Sequence, residues 1–162
     1  GICLGMQVAV MEYARNVAGI AEANSGEFDE QCRDKVIDFM PGQSDEIDKG
    51  GTLRLGACAC VIKAGTTMER CYGKRSISER HRHRYEFNNN YRGILEEKGL
   101  VLSGMSPDGR LVETVELTER PFYVGVQYHP EFKSRPNHPH PLFQGFVGAA
   151  KEQSKEGNYE FA

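Results

Sequence analysis

The stretch GICLGMQ at residues 1–7 decides which fold the sequence predicts. Its first five residues, Gly1-Ile2-Cys3-Leu4-Gly5, have the form Gly-x-nucleophile-x-Gly, which is typical of a strained turn between a strand and a helix. Glycines flank the nucleophile in such a turn because side chains there would collide. Apolar residues with helical spacing follow and predict a helix over 6–20. Its N-terminus would place a Cys3 thiolate near backbone N–H dipoles, which we expect to lower the pKa of the thiol. The N–H of Leu4 would help to bind an oxyanion. The alternative is a buried structural cysteine between two turn glycines.

A thiol nucleophile needs a base, and the triplet His129-Pro130-Glu131 offers one. The triplet directly follows the apolar run PFYVGVQY at 121–128, which predicts a buried strand. Functional groups gather at the carboxyl ends of strands in open α/β sheets, so we expect His129 and Cys3 along one edge of the sheet. The spacing of two residues lets Glu131 turn back and orient the imidazole. The alternative for His129 is a polar residue that is satisfied at the end of a strand.

Helices and strands are interspersed along the rest of the chain. Further strands are predicted at 35–40, 52–64, 77–87, 101–105 and 111–117, and further helices at 66–72, 91–98 and 140–152. Ser106-Pro107-Asp108-Gly109 predicts the turn of a hairpin, and the polar segment 41–51 predicts an exposed loop. This order favours an α/β fold in which helices layer a sheet. We expect one domain over 1–153 and a loose polar tail over 154–162.

Composition excludes several classes of protein. The 162 residues are 39% hydrophobic and 27% charged, and the longest uncharged stretch is too short to span a bilayer. The net charge of −3 gives no support to nucleic-acid binding. The five cysteines fit no disulfide framework, which indicates a reducing compartment. We expect no metal site, because neither Cys58 and Cys60 nor the histidines at 81, 83, 138 and 140 have further ligands at a suitable spacing.

The segment RHRHR at 80–84 alternates arginine with histidine. A strand there would present the arginines on one face and the histidines on the other. Alone, the pattern is typical of a salt-bridged strand, and anion binding is the alternative.

Two of these motifs together resemble the class I (triad) glutamine amidotransferases, whose pattern is a Gly-x-Cys-x-Gly-x-Gln elbow and a later His-Pro-Glu. They stand here as GICLGMQ at 1–7 and YHPE at 128–131. Further blocks resemble one branch of that family, and the most specific of them contains RHRHRYE. These blocks are NSGEF at 24–28, GGTLRLG at 50–56, ERHRHRYEFNN at 79–89 and GVQYHPEFKSRP at 125–136.

The resemblance implies a fold and a set of roles. The fold would be flavodoxin-like, with three layers and a mostly parallel central sheet flanked by helices. Cys3 would attack the side-chain amide of glutamine, His129 would relay the proton and Glu131 would orient His129. The positions that match glutamine-binding residues of the family are Leu4, Gly5, Met6, Gln7, Glu27 and Arg84. Among these, the Glu27 carboxylate would take the α-ammonium of glutamine and the Arg84 guanidinium would take its α-carboxylate.

The same resemblance implies a larger cytoplasmic enzyme. Ammonia would pass to a synthetase domain of the same polypeptide, which uses ATP and Mg²⁺ to convert UTP to CTP, with GTP as an allosteric effector and a homotetramer as the assembly. The glutaminase part itself would need no cofactor, and no nucleic acid or membrane would be a partner. Because residue 1 lies two positions before the nucleophile, we expect the sheet to be incomplete at the N-terminus and residues 1–153 to be the C-terminal portion of the glutaminase domain. Two alternatives are the glutaminase of another amidotransferase of the class and a non-catalytic module of the same fold.

Overall fold

A computed structural model describes residues 1–39 and 54–156 of the chain. The helices are α1 (Leu4–Asn16), α2 (Thr67–Tyr72), α3 (Arg92–Glu97) and α4 (Pro141–Glu156). The strands are β1 (Ala23–Ser25), β2 (Asp34–Phe39), β3 (Arg54–Ile62), β4 (Ser76–His83), β5 (Tyr85–Phe87), β6 (Val101–Met105), β7 (Val112–Glu116) and β8 (Val124–Val126). Short 3₁₀ turns lie at Asn89–Tyr91 and Pro130–Lys133.

The strands form two sheets. One has the order β4-β3-β6-β7-β8 with antiparallel pairing throughout, and the other has the order β1-β2-β5. In the described parts of the chain, parallel pairing is limited to β1 with β2 and to a bridge between Ile2 and Val126 beside β8. The expected combination of sheet and flanking helices is confirmed, but the strand direction differs from the mostly parallel sheet that we expected. One reason is the length of the connections, since a short turn such as 106–109 joins strands only in antiparallel fashion.

Helices cover both faces of the five-stranded sheet. On one face, Met6 and Val10 of α1 share a hydrophobic core with Val115 of β7. On the other face, Met68 of α2 and Leu142 of α4 share a core with neighbours from β3, β4 and β8. Since successive side chains of a strand point to opposite faces, Val115 and its neighbour Glu116 belong to different layers. The Glu116 carboxylate accepts the N–H groups of Thr67 (2.8 Å) and Met68 (3.2 Å) and so caps the start of α2.

The segment predicted as one strand over 77–87 is divided. It breaks at Arg84, because β4 pairs with β3 in the large sheet whereas β5 pairs with β2 in the small one. The predicted loop 41–51 lies outside the described residues. Helix α4 continues to Glu156, so it includes the first residues of the expected tail, and residues 157–162 lie outside the described part. The division into a domain over 1–153 and a tail stays a prediction.

Candidate active site

Cys3 occupies the turn between the Ile2 bridge and α1. Its φ of 49° and ψ of −108° are unusual, and it is the one non-glycine residue with positive φ in the described ranges. The N–H of Cys3 donates to the carbonyl of Val126 (2.7 Å), and the N–H of Val126 donates to the carbonyl of Gly1 (2.9 Å). These bonds fix the turn against β8 and leave Cys3 as the N-cap residue of α1. The strained turn predicted from the sequence is therefore present.

The two glycines of the turn differ in what they accommodate. A Cβ on Gly1 would lie 2.5 Å from the carbonyl oxygen of Gly5 and 2.8 Å from the nitrogen of Met6, so no side chain fits at Gly1. A Cβ on Gly5 would meet nothing within 4 Å among the described residues. The crowding expected on both sides of the nucleophile therefore applies to Gly1 and not to Gly5.

His129 and Glu131 form a hydrogen-bonded pair just beyond β8. Nδ1 of His129 lies 2.6 Å from Oε1 of Glu131, and the backbone N–H of His129 donates to the carbonyl of Arg80 (2.8 Å). His129 precedes the 3₁₀ turn Pro130–Lys133, which carries Glu131 back toward the imidazole. Because Glu131 engages Nδ1, Nε2 is the ring nitrogen left to exchange a proton with another group. Both this pair and the Cys3 turn are positioned by the end of β8.

A cavity of about 310 Å³ lies beside the Cys3 turn. Its lining includes Cys3 and four of the residues predicted to bind glutamine, namely Leu4, Gln7, Glu27 and Arg84. Arg82, His83 and Tyr85 complete the lining. Glu27 and Arg84 have exposed side chains, so a carboxylate and a guanidinium face one polar cavity at the nucleophile.

Met6 and Gly5, which were also predicted to bind glutamine, do not line this cavity. The Met6 side chain is fully buried in the core below α1. The N–H groups of Gly5 and Met6 donate to the carbonyls of Ile2 (2.8 Å) and Cys3 (3.0 Å). A role for these two residues in binding would therefore have to come from the shape of the backbone, and it stays a prediction.

Burial raises the pKa of the Cys3 thiol above its ordinary value, and the nearby carboxylates of Glu27 and Glu131 raise it further. Hydrogen bonds from the backbone of Leu4 and the side chain of Gln127 oppose this rise in the pKa. The lowered pKa expected from the start of α1 is therefore wrong, because burial outweighs the N–H donors. A thiol whose pKa is raised in this way needs a base before it can attack.

Three contributors to the site were missed by sequence reasoning. The side-chain amide of Gln127 donates to Sγ of Cys3 (3.7 Å), Sγ itself points to the carbonyl of Arg82 (3.9 Å), and Gln7 donates to the carbonyl of Tyr85 (2.9 Å). The signal for Gln127 was its place two residues before His129, within GVQYHPE. Backbone carbonyls have no sequence signal, because every residue carries one.

The described residues carry neither a metal-binding cluster nor a membrane-spanning helix. No group of three or more His, Cys, Asp or Glu side chains suited to a metal ion occurs in residues 1–39 and 54–156. Within the same ranges, no helix has the length and apolar character needed to cross a bilayer. All five cysteines are free.

Comparison with known sequences supports one family. The model of the class-I glutamine amidotransferases matches residues 1–149. CTP synthase of Rubrobacter xylanophilus is 59% identical over 156 residues, which are 96% of this chain and 28% of that protein. CTP synthase of Moorella thermoacetica is 56% identical over 157 residues, which are 97% of this chain and 29% of that protein. The chain thus spans less than a third of the curated relatives it matches.

Solved structures agree with the sequence comparison. A Trypanosoma brucei CTPS glutaminase domain with bound acivicin superposes with a TM-score of 0.86 at 39% identity, covering 94% of this chain and 59% of that one. A putative GMP synthase protein from Thermoplasma acidophilum has a TM-score of 0.57 at 16% identity, covering 96% of this chain and 58% of that one, and shares the fold. These neighbours confirm the predicted amidotransferase fold, although most of the described strands pair in antiparallel fashion. With the family model matching most of its length, the chain belongs to the class-I glutamine amidotransferases.

Proposed function

We propose that this chain hydrolyses glutamine to glutamate and ammonia through a thioester on Cys3, as the glutaminase part of a CTP synthase. The observation that carries the proposal is the meeting of Cys3, Glu27 and Arg84 at one cavity, beside a β-strand end that also positions the His129–Glu131 pair. Similarity to CTP synthases over nearly the whole chain supports the choice among amidotransferases.

The cavity matches free glutamine in charge. The α-ammonium of glutamine would lie against the Glu27 carboxylate and its α-carboxylate against the Arg84 guanidinium, in charge-assisted hydrogen bonds. The side-chain amide would then reach toward Cys3. Gln7 uses its Nε2 on protein acceptors, so its Oε1 is the atom offered to the substrate.

The reaction would proceed in two steps. His129 Nε2 takes the proton of the Cys3 thiol, and Sγ attacks the amide carbon of glutamine. The oxyanion of the tetrahedral intermediate accepts a hydrogen bond from the backbone N–H of Leu4. The intermediate then collapses, and His129 gives its proton to the leaving nitrogen, which departs as ammonia. Water, deprotonated by His129, then attacks the thioester carbon, releases glutamate and restores the thiol. Glu131 holds the Nδ1–H of His129 throughout and so fixes the tautomer that accepts at Nε2.

The rest of the proposal concerns the longer polypeptide. We infer that the ammonia passes to a synthetase domain of the same chain, which aminates UTP to CTP with ATP and Mg²⁺ and is subject to GTP as an allosteric effector. We propose a cytoplasmic homotetramer, in which residues 1–153 belong to the glutaminase domain. Five free cysteines support a reducing compartment.

Cys3→Ala in the full-length protein tests the proposal. The variant is expected to lose glutamine-dependent CTP formation, by at least about 10³-fold, and to keep ammonia-dependent formation, because only the source of ammonia is removed. Cys58→Ala is the matched control, since Cys58 is a free thiol on β3 that does not line the cavity. Loss of both activities in Cys3→Ala would make Cys3 a structural residue, and retention of the glutamine-dependent activity would exclude it as the nucleophile.

A further inference from the structure

Buried amides connect the cavity to the reacting sulfur. Gln127 has no solvent exposure, and its side chain lies between Gln7 and Cys3. Nε2 of Gln7 donates to Oε1 of Gln127 (3.1 Å), and Nε2 of Gln127 donates to Sγ of Cys3 (3.7 Å). Gln7 is also buried, with 2% of its surface exposed.

The direction of these hydrogen bonds follows from one backbone group. Nε2 of Gln7 also lies 2.9 Å from the carbonyl oxygen of Tyr85, which can only accept a hydrogen bond. The NH₂ end of Gln7 must therefore face Tyr85 and Gln127. Oε1 of Gln127 accepts the hydrogen bond from Gln7, so the NH₂ end of Gln127 is turned toward Cys3.

We propose that Gln127 is a further catalytic residue, whose side-chain N–H donates to Sγ of Cys3 and stabilises the thiolate that attacks the substrate. Gln7 and the Tyr85 carbonyl act as positioning groups that keep the donor end of Gln127 on the sulfur. The inference rests on the proposed function only for its catalytic part, because the hydrogen bond exists without substrate. It gives Gln7 a second role besides lining the cavity.

The hydrogen bond from Gln127 offsets groups near Cys3 that disfavour negative charge on Sγ. The Glu27 and Glu131 carboxylates and the Arg82 carbonyl all disfavour negative charge on Sγ. Nearby N–H donors from the Leu4 backbone and Gln127 favour it. A hydrogen bond to an ionised sulfur is stronger than one to a neutral thiol, so Gln127 contributes most when the charge forms.

The test measures the reactivity of Cys3 without glutamine. In the full-length protein, the rate of alkylation of Cys3 by iodoacetamide is followed against pH by mass spectrometry of the peptide that contains it. Gln127→Met removes the donor without adding charge, and we expect it to raise the apparent pKa of Cys3 and slow alkylation at pH 7 by about three- to tenfold. Gln144→Met is the matched control, because Gln144 is an exposed glutamine on α4 that donates to the Pro139 carbonyl.

A double-mutant cycle separates orientation from contact. Gln7→Met is expected to shift the pKa of Cys3 in the same direction by a smaller amount, and to add nothing in the Gln127→Met background, because its effect passes through Gln127. If Gln127→Met does not fold, Gln127→Asn keeps a buried amide but shortens its reach to the sulfur, and it decides the question in the same assay.

Two results would overturn the inference: an unchanged pH profile of Cys3 alkylation in a folded Gln127 variant, or an equal shift in Gln144→Met. Glutamine hydrolysis supplies an independent readout, in which Gln127→Met should lower kcat with little change in KM, since Gln127 does not line the cavity. A wild-type protein that lacks glutaminase activity but whose Cys3 responds to Gln127→Met would refute the proposed function and leave the hydrogen-bond assignment standing.

Discussion

Cys3 combines a strained backbone with an unactivated thiol. Its positive φ is held by the bond from its N–H to Val126, and burial keeps its pKa above the ordinary value. A nucleophile of this kind depends on its neighbours to become reactive. The chemistry at the residue scale is therefore divided between a base, an orienting carboxylate and hydrogen-bond donors to sulfur.

The orienting role of Glu131 can be tested by Glu131→Gln. The amide would donate its NH₂ to Nδ1 of His129 and place the ring proton on Nε2, where it blocks proton acceptance from Cys3. We expect kcat for glutamine hydrolysis to fall by about 10²- to 10⁴-fold with a smaller change in KM. Steady-state kinetics measure both, and an unchanged kcat would remove Glu131 from the mechanism.

Arg84 can be tested by its effect on substrate affinity. Arg84→Ala removes the cation proposed to bind the α-carboxylate, so KM for glutamine should rise by about 10- to 100-fold while kcat changes little. Arg80→Ala is the matched control, because Arg80 is an exposed arginine of β4 that does not line the cavity. Equal KM values for Arg84→Ala and wild type would place the carboxylate elsewhere.

At the scale of elements, the break between β4 and β5 builds one wall of the site. The chain leaves the large sheet after His83 and joins the small sheet at Tyr85, so Arg84 is the single residue between the two strands. Alternation along 77–87 indicated a single strand, because side-chain periodicity is the same on both sides of the break. Which strand each segment pairs with is decided by tertiary packing, and side-chain periodicity carries no information about it.

The elbow and the hairpin at 101–117 were predictable from the sequence, since their glycines and turn residues act locally.

Close packing of β6 against its neighbours gives a prediction at this scale. A Cβ on Gly104 would lie 2.6 Å from Oγ1 of Thr114 and 2.8 Å from Sγ of Cys60. Gly104→Ala should therefore lower the free energy of unfolding by about 1–3 kcal/mol. Gly148→Ala on α4 is the control, because open space surrounds that position and alanine favours helix by about 0.5–1 kcal/mol. Urea denaturation compares the two, and equal stability of Gly104→Ala and wild type would contradict the packing described.

At the scale of the whole molecule, a buried cluster of ionisable side chains joins the two sheets. Arg54 of β3 pairs with Glu113 of β7 (2.7 Å) and with Glu86 of β5 (3.2 Å). His81 adds a bond to Glu113 (2.9 Å), and Nδ1 of His83 lies 3.4 Å from Glu86. Burial lowers the pKa of His83 to about 3, so the cavity is lined there by a neutral imidazole.

Glu86 gives this cluster a pH dependence. Burial, with the Glu113 carboxylate nearby, raises the pKa of Glu86 from 4.5 to about 8 although Arg54 opposes the rise. A carboxyl with a raised folded-state pKa contributes stability that is complete below pH 4.5 and is lost as pH rises through 8. The uncharged Glu86→Gln should therefore lose less unfolding free energy than wild type between about pH 5 and 8.5. Thermal or urea unfolding at both pH values measures this, and equal losses in the two proteins would show that Glu86 is ionised in the folded state.

Much of the candidate site was predictable, for a chemical reason. Cys3 was named from the elbow pattern, and Gln7, Glu27 and Arg84 were named from the family resemblance. The structure places all four along one cavity, while their roles remain proposals. Motifs mark side chains that touch a ligand. They do not reveal which way an amide such as Gln127 is turned, because that depends on a carbonyl from a distant strand.

Cys3 is the proposed nucleophile of a glutamine site. The most direct test of this role is to treat the full-length protein with a reactive glutamine analogue and to map the modified residue by mass spectrometry. We predict modification of Cys3 and protection of Cys3 by free glutamine. An unmodified Cys3, while other thiols react, would show that Cys3 is not the nucleophile.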